Sequence, residues 1–179
     1  HPYSPMTNCC SIDFVGMLNK GFRIGNADVE SPKSIRTATA QISQIIANVA
    51  SSQYGGCTVD RIDEVLAPFA ERNYGKNLAD AYELTDDEEN AKSFARKKTR
   101  KDIYDAMQSL EYEINTLFTS NGQTPFTSVG FGLGTNWFER EIQRAILLNR
   151  IKGLGKEGRT AIFPKLIFTI KKGLNFAEG

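Results

Sequence analysis

Gln123-Thr124-Pro125-Phe126-Thr127-Ser128-Val129-Gly130-Phe131-Gly132-Leu133-Gly134-Thr135-Asn136 is the stretch that decides the fold. It reads as a strand as far as Phe131. Glycines and Asn136 then lead into a helix from Trp137 to about Ile151. Strand, glycine turn and helix make half of a parallel crossover. Glycines at such a junction let a ligand approach the backbone, and a helix N-terminus offers unpaired N–H groups to an anion. The spacing matches neither GxGxxG nor a Walker A loop, so the residues by themselves favour a plain tight turn.

Downstream, Gly153, Gly155 and Gly158 break the helix. The stretch Gly153 to Arg159 looks like a phosphate loop but lacks the Lys-Ser/Thr pair. Ala161 to Ile170 is a nearly continuous apolar run, the pattern of a strand buried on both faces.

Upstream, Ile103, Met107, Leu110, Ile114 and Leu117 recur four and three apart, a helical stripe. Thr85-Asp86-Asp87-Glu88 opens that helix with a capping-box pattern, and acids crowd its first turn. Between lie Lys92, Arg96, Lys97, Lys98, Arg100 and Lys101. They read either as a phosphate-binding patch or as a solvated face paired with the acids one turn earlier, and the second reading is favoured. A shorter stripe comprises Ile62, Val65, Leu66 and Phe69. Ser31-Pro32 reads as the start of a further helix carrying Ile35, Ile42, Ile45, Ile46 and Val49, which Gly55-Gly56 ends. Gly16, Gly21 and Gly25 mark a turn region. The first element reads as a strand from Asn8 to Phe14. Its alternation puts Cys9, Ser11 and Asp13 on one side and Cys10, Ile12 and Phe14 on the other. The class is therefore α/β with parallel crossovers, and helix dominates.

The chain has 179 residues, room for one ordinary domain. Its 22 Lys+Arg against 21 Asp+Glu give a net charge of +1, which argues against a nucleic-acid binder. No apolar run is long enough to span a bilayer. The one histidine is His1, so a Ser-His-Asp triad, a Cys-His pair and an HExxH zinc site are all excluded within this chain. Three cysteines, Cys9, Cys10 and Cys57, form no CxxC pair, so no metal site is expected. Sparse, odd cysteine usage fits a reducing cytoplasm. If either adjacent cysteine carries chemistry, alternation selects Cys9. The plain alternative is two packed thiols. The ends suggest an interior piece of a longer chain.

The stretch Asn121 to Thr135 closely resembles a signature of the anaerobic, class III ribonucleoside-triphosphate reductases. So do Ile151 to Lys156, Arg159 to Leu166, Arg61 to Phe69 and Gln108 to Glu113. The resemblance runs from about Asn8 to about Asn175. It implies that residues 1–179 are a single piece of a catalytic domain, part of a ten-stranded α/β barrel of the glycyl-radical type. It implies reduction of ribonucleoside triphosphates, with dNTP or ATP as effectors, a radical-SAM activating enzyme as partner and a homodimeric whole. A glycyl radical, a structural zinc and formate or a thiol reductant would belong to the whole enzyme, with no cofactor in this piece. The family's Asn-Cys…Ile-Asp pattern falls on Asn8-Cys9 and Ile12-Asp13. Cys9 thereby takes the role of the second active-site cysteine, with Asn8 and Ser11 as substrate contacts. Cys10 and Cys57 are left to packing. Ser51 to Asp60 and Ser120 to Ser128 resemble the two effector loops, with Ser52, Gly55, Gly56, Gln123, Thr124 and Phe126 as contacts. The thiyl cysteine and the glycyl-radical segment are expected elsewhere, so this piece alone is expected to be inactive. The alternative is a non-catalytic nucleotide-binding or interaction module that reuses the same segment.

Overall fold

A computed structural model describes residues 9–52, 55–119 and 122–176. Asn8 lies outside them. Four strands form one parallel sheet in the order β1-β4-β5-β6: β1 (Cys10–Ser11), β4 (Cys57–Val59), β5 (Thr127–Phe131) and β6 (Lys165–Phe168). Strand order follows chain order, so each crossover moves one place across the sheet. The connections are α1 (Phe14–Lys20), the hairpin β2 (Phe22–Ile24) and β3 (Ala27–Val29), α2 (Ile35–Ser51), the pair α3 (Ile62–Tyr82) and α4 (Glu88–Thr116), and α5 (Trp137–Lys152).

The helices bury their apolar stripes on one face of this sheet. Ile42, Ile46, Ile62, Leu66, Phe69, Ile103 and Ile114 meet Val59, Val129 and Phe131 in one core. α4 is the spine of the layer, packed against α2, α3 and α5.

Several boundaries differ from those the sequence predicts. The first strand is shorter than Asn8 to Phe14: the Asp13 carboxylate caps α1 by accepting from the Gly16 N–H at 2.9 Å, and Phe14 opens that helix. A helix and a hairpin therefore replace the predicted turn region. Ser34, three residues after Ser31, caps α2. α3 runs on through Pro68 to Tyr82 because its second half buries Asn77 and Ala81. Asn77 Nδ2 donates to Thr99 Oγ1 and Asp102 Oδ2 on α4, a polar seam that leaves no apolar period to read. Asp87 caps α4 in place of Thr85, whose hydroxyl accepts from the Asp87 N–H. β6 is an edge strand, with Ile167 50% and Phe168 43% exposed, so its apolar run is not buried on both faces.

Candidate active site

Parallel register puts Ser11, Thr58, Ser128 and Lys165 in one row across all four strands. Val59, Val129 and Leu166 occupy the adjacent row and point into the helix layer. Strand side chains alternate, so the hydroxyl and ammonium row faces away from the helices. Parallel sheets are normally covered on both sides, and within these residues no helix covers that second face. At about 4.8 Å per strand the row is about 14 Å long.

Cys9 sits beside this row. It is exposed, Cys10 is half-buried and Cys57 is 1% exposed. Cys10 donates its N–H to Gly56 O at 3.0 Å and Ile12 donates to Thr58 O at 3.2 Å. These bonds fix the register, with Cys10 opposite Cys57 and Ser11 opposite Thr58. The exposure of residues 9 to 14 follows the alternation, with Cys9, Ser11 and Asp13 out and Phe14 buried.

The two stretches picked as effector loops meet at this end of the sheet. Cys57 N–H donates to Phe126 O at 2.8 Å, and a Cβ on Gly56 would lie 3.1 Å from that same oxygen. The first stretch also contains β4, which the sequence reading does not mark as a strand. Ser52 closes α2, its hydroxyl donating to Asn48 O. Gly55 is half-buried. Gln123 is exposed, and Thr119 N–H donates to its carbonyl at 2.8 Å. Thr124 is half-buried and Phe126 is 64% exposed. The Phe126 ring lies 4.8 Å from the Phe163 ring, and Lys165 Nζ lies 5.5 Å from the latter. Thr58, Ser128 and Lys165 were not picked from the sequence. Each sits next to an apolar residue, but only the register of the sheet brings the three together.

The glycine turn after β5 is engaged internally. Asp63, fully buried on α3, accepts at Oδ2 from Gly132 N–H (3.0 Å), Gly134 N–H (3.2 Å) and Gln143 Nε2 (2.6 Å). At the start of α5, Asn136 and Glu139 form a capping box, and Glu139 Oε2 also accepts from Thr135 N–H. The N–H groups that an anion would use are thus taken. Gly132 has φ +117 and would place a Cβ 2.9 Å from the Phe168 ring, so only glycine fits. The tight-turn reading holds. The sequence offered one clue to Asp63: a carboxylate set inside the Ile62-Val65-Leu66 stripe.

Entry to β6 is clamped from the helix side. Arg150 donates from Nε to Glu111 Oε1 at 2.7 Å and from Nη2 to Pro164 O at 2.7 Å. That pair sets the start of the strand that carries Lys165.

Known proteins resemble this chain along nearly its whole length. The family model described as anaerobic ribonucleoside-triphosphate reductase matches residues 1–179. The chain is 58% identical to the anaerobic ribonucleoside-triphosphate reductase of Salmonella typhimurium strain LT2, covering 99% of this chain and 25% of that protein. It is 57% identical to that of Escherichia coli K12, over 99% of this chain and 25% of the relative. It is 54% identical to that of Enterobacteria phage T4, over 97% of this chain and 28% of the relative. The chain thus spans about a quarter of the length of the curated relatives it matches. A crystal structure of the anaerobic ribonucleotide reductase from Thermotoga maritima in complex with dATP and CTP shares the fold. Its TM-score is 0.56 at 15% identity, over 82% of this chain and 24% of that one. No helix among the described residues is long and apolar enough to cross a membrane.

Proposed function

The chain belongs to the anaerobic ribonucleoside-triphosphate reductase family, and from that premise we propose that it forms one wall of the enzyme's catalytic barrel. The observation that carries the proposal is the exposed Cys9 thiol beside the polar, helix-free row Ser11-Thr58-Ser128-Lys165. Such a wall meets a sugar with hydroxyls and a thiol and meets a phosphate with an ammonium. Its length of about 14 Å matches a nucleoside triphosphate laid along it.

In the proposed reaction the ribose 2′ C–O bond is replaced by C–H, and the oxygen leaves as water. The two electrons come from formate, released as carbon dioxide, or from a dithiol, released as a disulfide. A glycyl radical, housed outside these residues, supplies the radical that starts turnover. Cys9 gives a hydrogen atom from its thiol to the substrate, and the formate or dithiol reductant restores that S–H bond before the next turnover. Asn8 and Ser11 orient the ribose. The radical-SAM activating enzyme, a structural zinc, the homodimer and a cytoplasmic location belong to the same proposal.

Effector control is proposed to enter through Ser52, Gly55, Gly56, Gln123, Thr124 and Phe126. The support is mechanical. A shift of the 122–126 stretch moves Phe126 O, which holds the start of β4, and Gly56 O on β4's lead-in holds Cys10. A ligand that binds one position of that stretch better than another biases the wall.

The test is turnover of the whole activated enzyme on competing ribonucleoside triphosphates. Cys9→Ala is expected to lose nearly all product, and Gln123→Ala to blunt the effector's change in substrate ratio more than basal turnover. Wild-type turnover in Cys9→Ala would overturn the catalytic reading and leave a nucleotide-binding module. An unchanged ratio in Gln123→Ala would remove that residue from the effector site.

A further inference from the structure

α4 and α5 run side by side in the same direction. Arg100 meets Glu141, Asn149 Nδ2 donates to Tyr104 O, and Glu111 meets Arg150. Between their outer faces lies an open groove of about 270 Å³. Lys97, Arg100 and Lys101 line it from α4, with Glu141 and Arg144 from α5. Tyr104 and Leu148 close the far end.

The cations here are not simply neutralised by acids one turn earlier on α4. Of the basic run, only Lys92 pairs that way, with Glu88. Lys98 reaches Asp80 on α3, and Lys101 pairs with Asp105. Arg100 makes two hydrogen bonds to Glu141, at 2.9 and 2.8 Å. Arg144 lies 3.7 Å from that same carboxylate with its side chain 58% exposed. Lys97 has no ion-pair or hydrogen-bond partner among the described residues. Four cations set against Glu141 and against Asp105, the partner of Lys101, leave two positive charges in the groove of a chain whose net charge is +1. The Glu141 side chain, only 11% exposed, fixes Arg100 and leaves Lys97 and Arg144 facing solvent.

We propose that this groove binds a triphosphate chain, either inorganic or the tail of a nucleotide. Guanidinium groups held by a largely buried carboxylate form a preorganised phosphate cradle, and the unpaired Lys97 completes it beside the exposed, more distantly paired Arg144. The track from Lys97 to Tyr104 spans seven residues, about 10 Å at 1.5 Å per residue. That suits an extended triphosphate, whereas an acidic polypeptide needs a longer basic track. The groove lies on the outer side of the helix layer, so it is separate from the Cys9 wall and does not rest on the catalytic reading.

Trp137 is the reporter. It is the one tryptophan of the chain, and the Arg96 and Arg100 guanidinium carbons each lie 6.0 Å from its ring centroid. The experiment titrates the whole protein with sodium triphosphate and follows emission, subtracting the same titration of Trp137→Phe. A saturable, Trp137-dependent change that weakens with added salt is expected. Lys97→Ala/Arg144→Ala, both at exposed positions, should weaken it at least about tenfold, the loss of about 1.4 kcal/mol. Cys9→Ala should leave it intact. A second arm uses ATP. Equal affinity identifies the phosphate chain as the ligand, and tighter ATP binding identifies a nucleotide contacting Tyr104 and Leu148. The proposal fails if Trp137 gives no signal, if the double variant titrates like wild type, or if a glutamate-rich peptide binds while triphosphate does not.

Discussion

Asp63→Ala should be among the most damaging single substitutions in the chain. Its Oδ2 accepts three hydrogen bonds, and the side chain is fully buried. Truncation strands the N–H groups of Gly132 and Gly134. Gln143 keeps a second acceptor, Gly134 O at 3.0 Å. Each stranded buried donor costs about 1–3 kcal/mol, so the two backbone groups set a loss of about 2–6 kcal/mol. Relief of burying a carboxylate offsets part of this, because Asp63 Oδ1 has no partner. The net expectation is about 2–4 kcal/mol. Asp63→Asn keeps an acceptor oxygen and forfeits only charge assistance, so about 1 kcal/mol is expected. Urea unfolding measures both, and for a domain of this size the alanine variant should melt about 5–15 °C lower. A loss under about 1 kcal/mol for Ala would refute the account. Equal losses for Asn and Ala would show that the charge, and not the three acceptor contacts, holds the turn.

Gly153→Ala should cost more than about 2 kcal/mol, because φ is +72 and the new Cβ would lie 2.4 Å from Gly158 O; Gly155→Ala, at φ +69 in open space, should cost only about 1 kcal/mol. Glu111→Ala leaves the Arg150 guanidinium, 21% exposed, without its carboxylate and should lose about 3 kcal/mol in thermal unfolding. The hydrogen bond from Lys98 holds the Asp80 carboxyl below its ordinary value. A depressed acid stabilises the fold above its unfolded pKa of about 3.9, and that contribution is lost as pH falls through the folded value. Lys98→Met should therefore move the Asp80 titration upward in NMR and flatten the acid limb of stability. Iodoacetamide should label Cys9 first, Cys10 more slowly and Cys57 only on unfolding, since reactivity follows exposure here.

What the sequence made legible follows from the two periodicities. α5 was read almost to the residue, because a capping residue, an apolar stripe and a closing glycine all agree there. The parity of Cys9 and Cys10 was readable over only a few residues. α3 beyond Phe69 was not readable, because its second half is held by Asn77, Thr99 and Asp102 and carries no apolar period. β4 was hidden for a different reason. Three residues, Cys57 to Val59, are too short to show alternation, and their strand identity comes from pairing with β1 and β5 on either side. β6 misled because an apolar run states what a strand can bury. It does not state whether a neighbour is there to bury it, and in this sheet β6 pairs only with β5. Thr58, Ser128 and Lys165 share that limitation. Each is an ordinary polar residue until register aligns it with the other two and with Ser11.

Register also decides which cysteine faces the open side of the sheet. A slip of one residue between β1 and β4 would exchange every side chain between the two faces. Cys10 would then stand on the polar face, Cys9 would turn toward the helices, and Ser11 would be driven into the core. Two ladder bonds, Cys10 N–H to Gly56 O and Ile12 N–H to Thr58 O, are too few to forbid that in a two-residue strand. The fold adds two further constraints immediately downstream. Phe14, 2% exposed, is locked in the core with Leu18. Asp13 caps the helix that carries both, so the helix cannot lengthen backward by one residue without losing its cap. α1 therefore acts as the register stop for β1. The lone thiol on the open face is set by an apolar anchor and a helix cap four to five residues away.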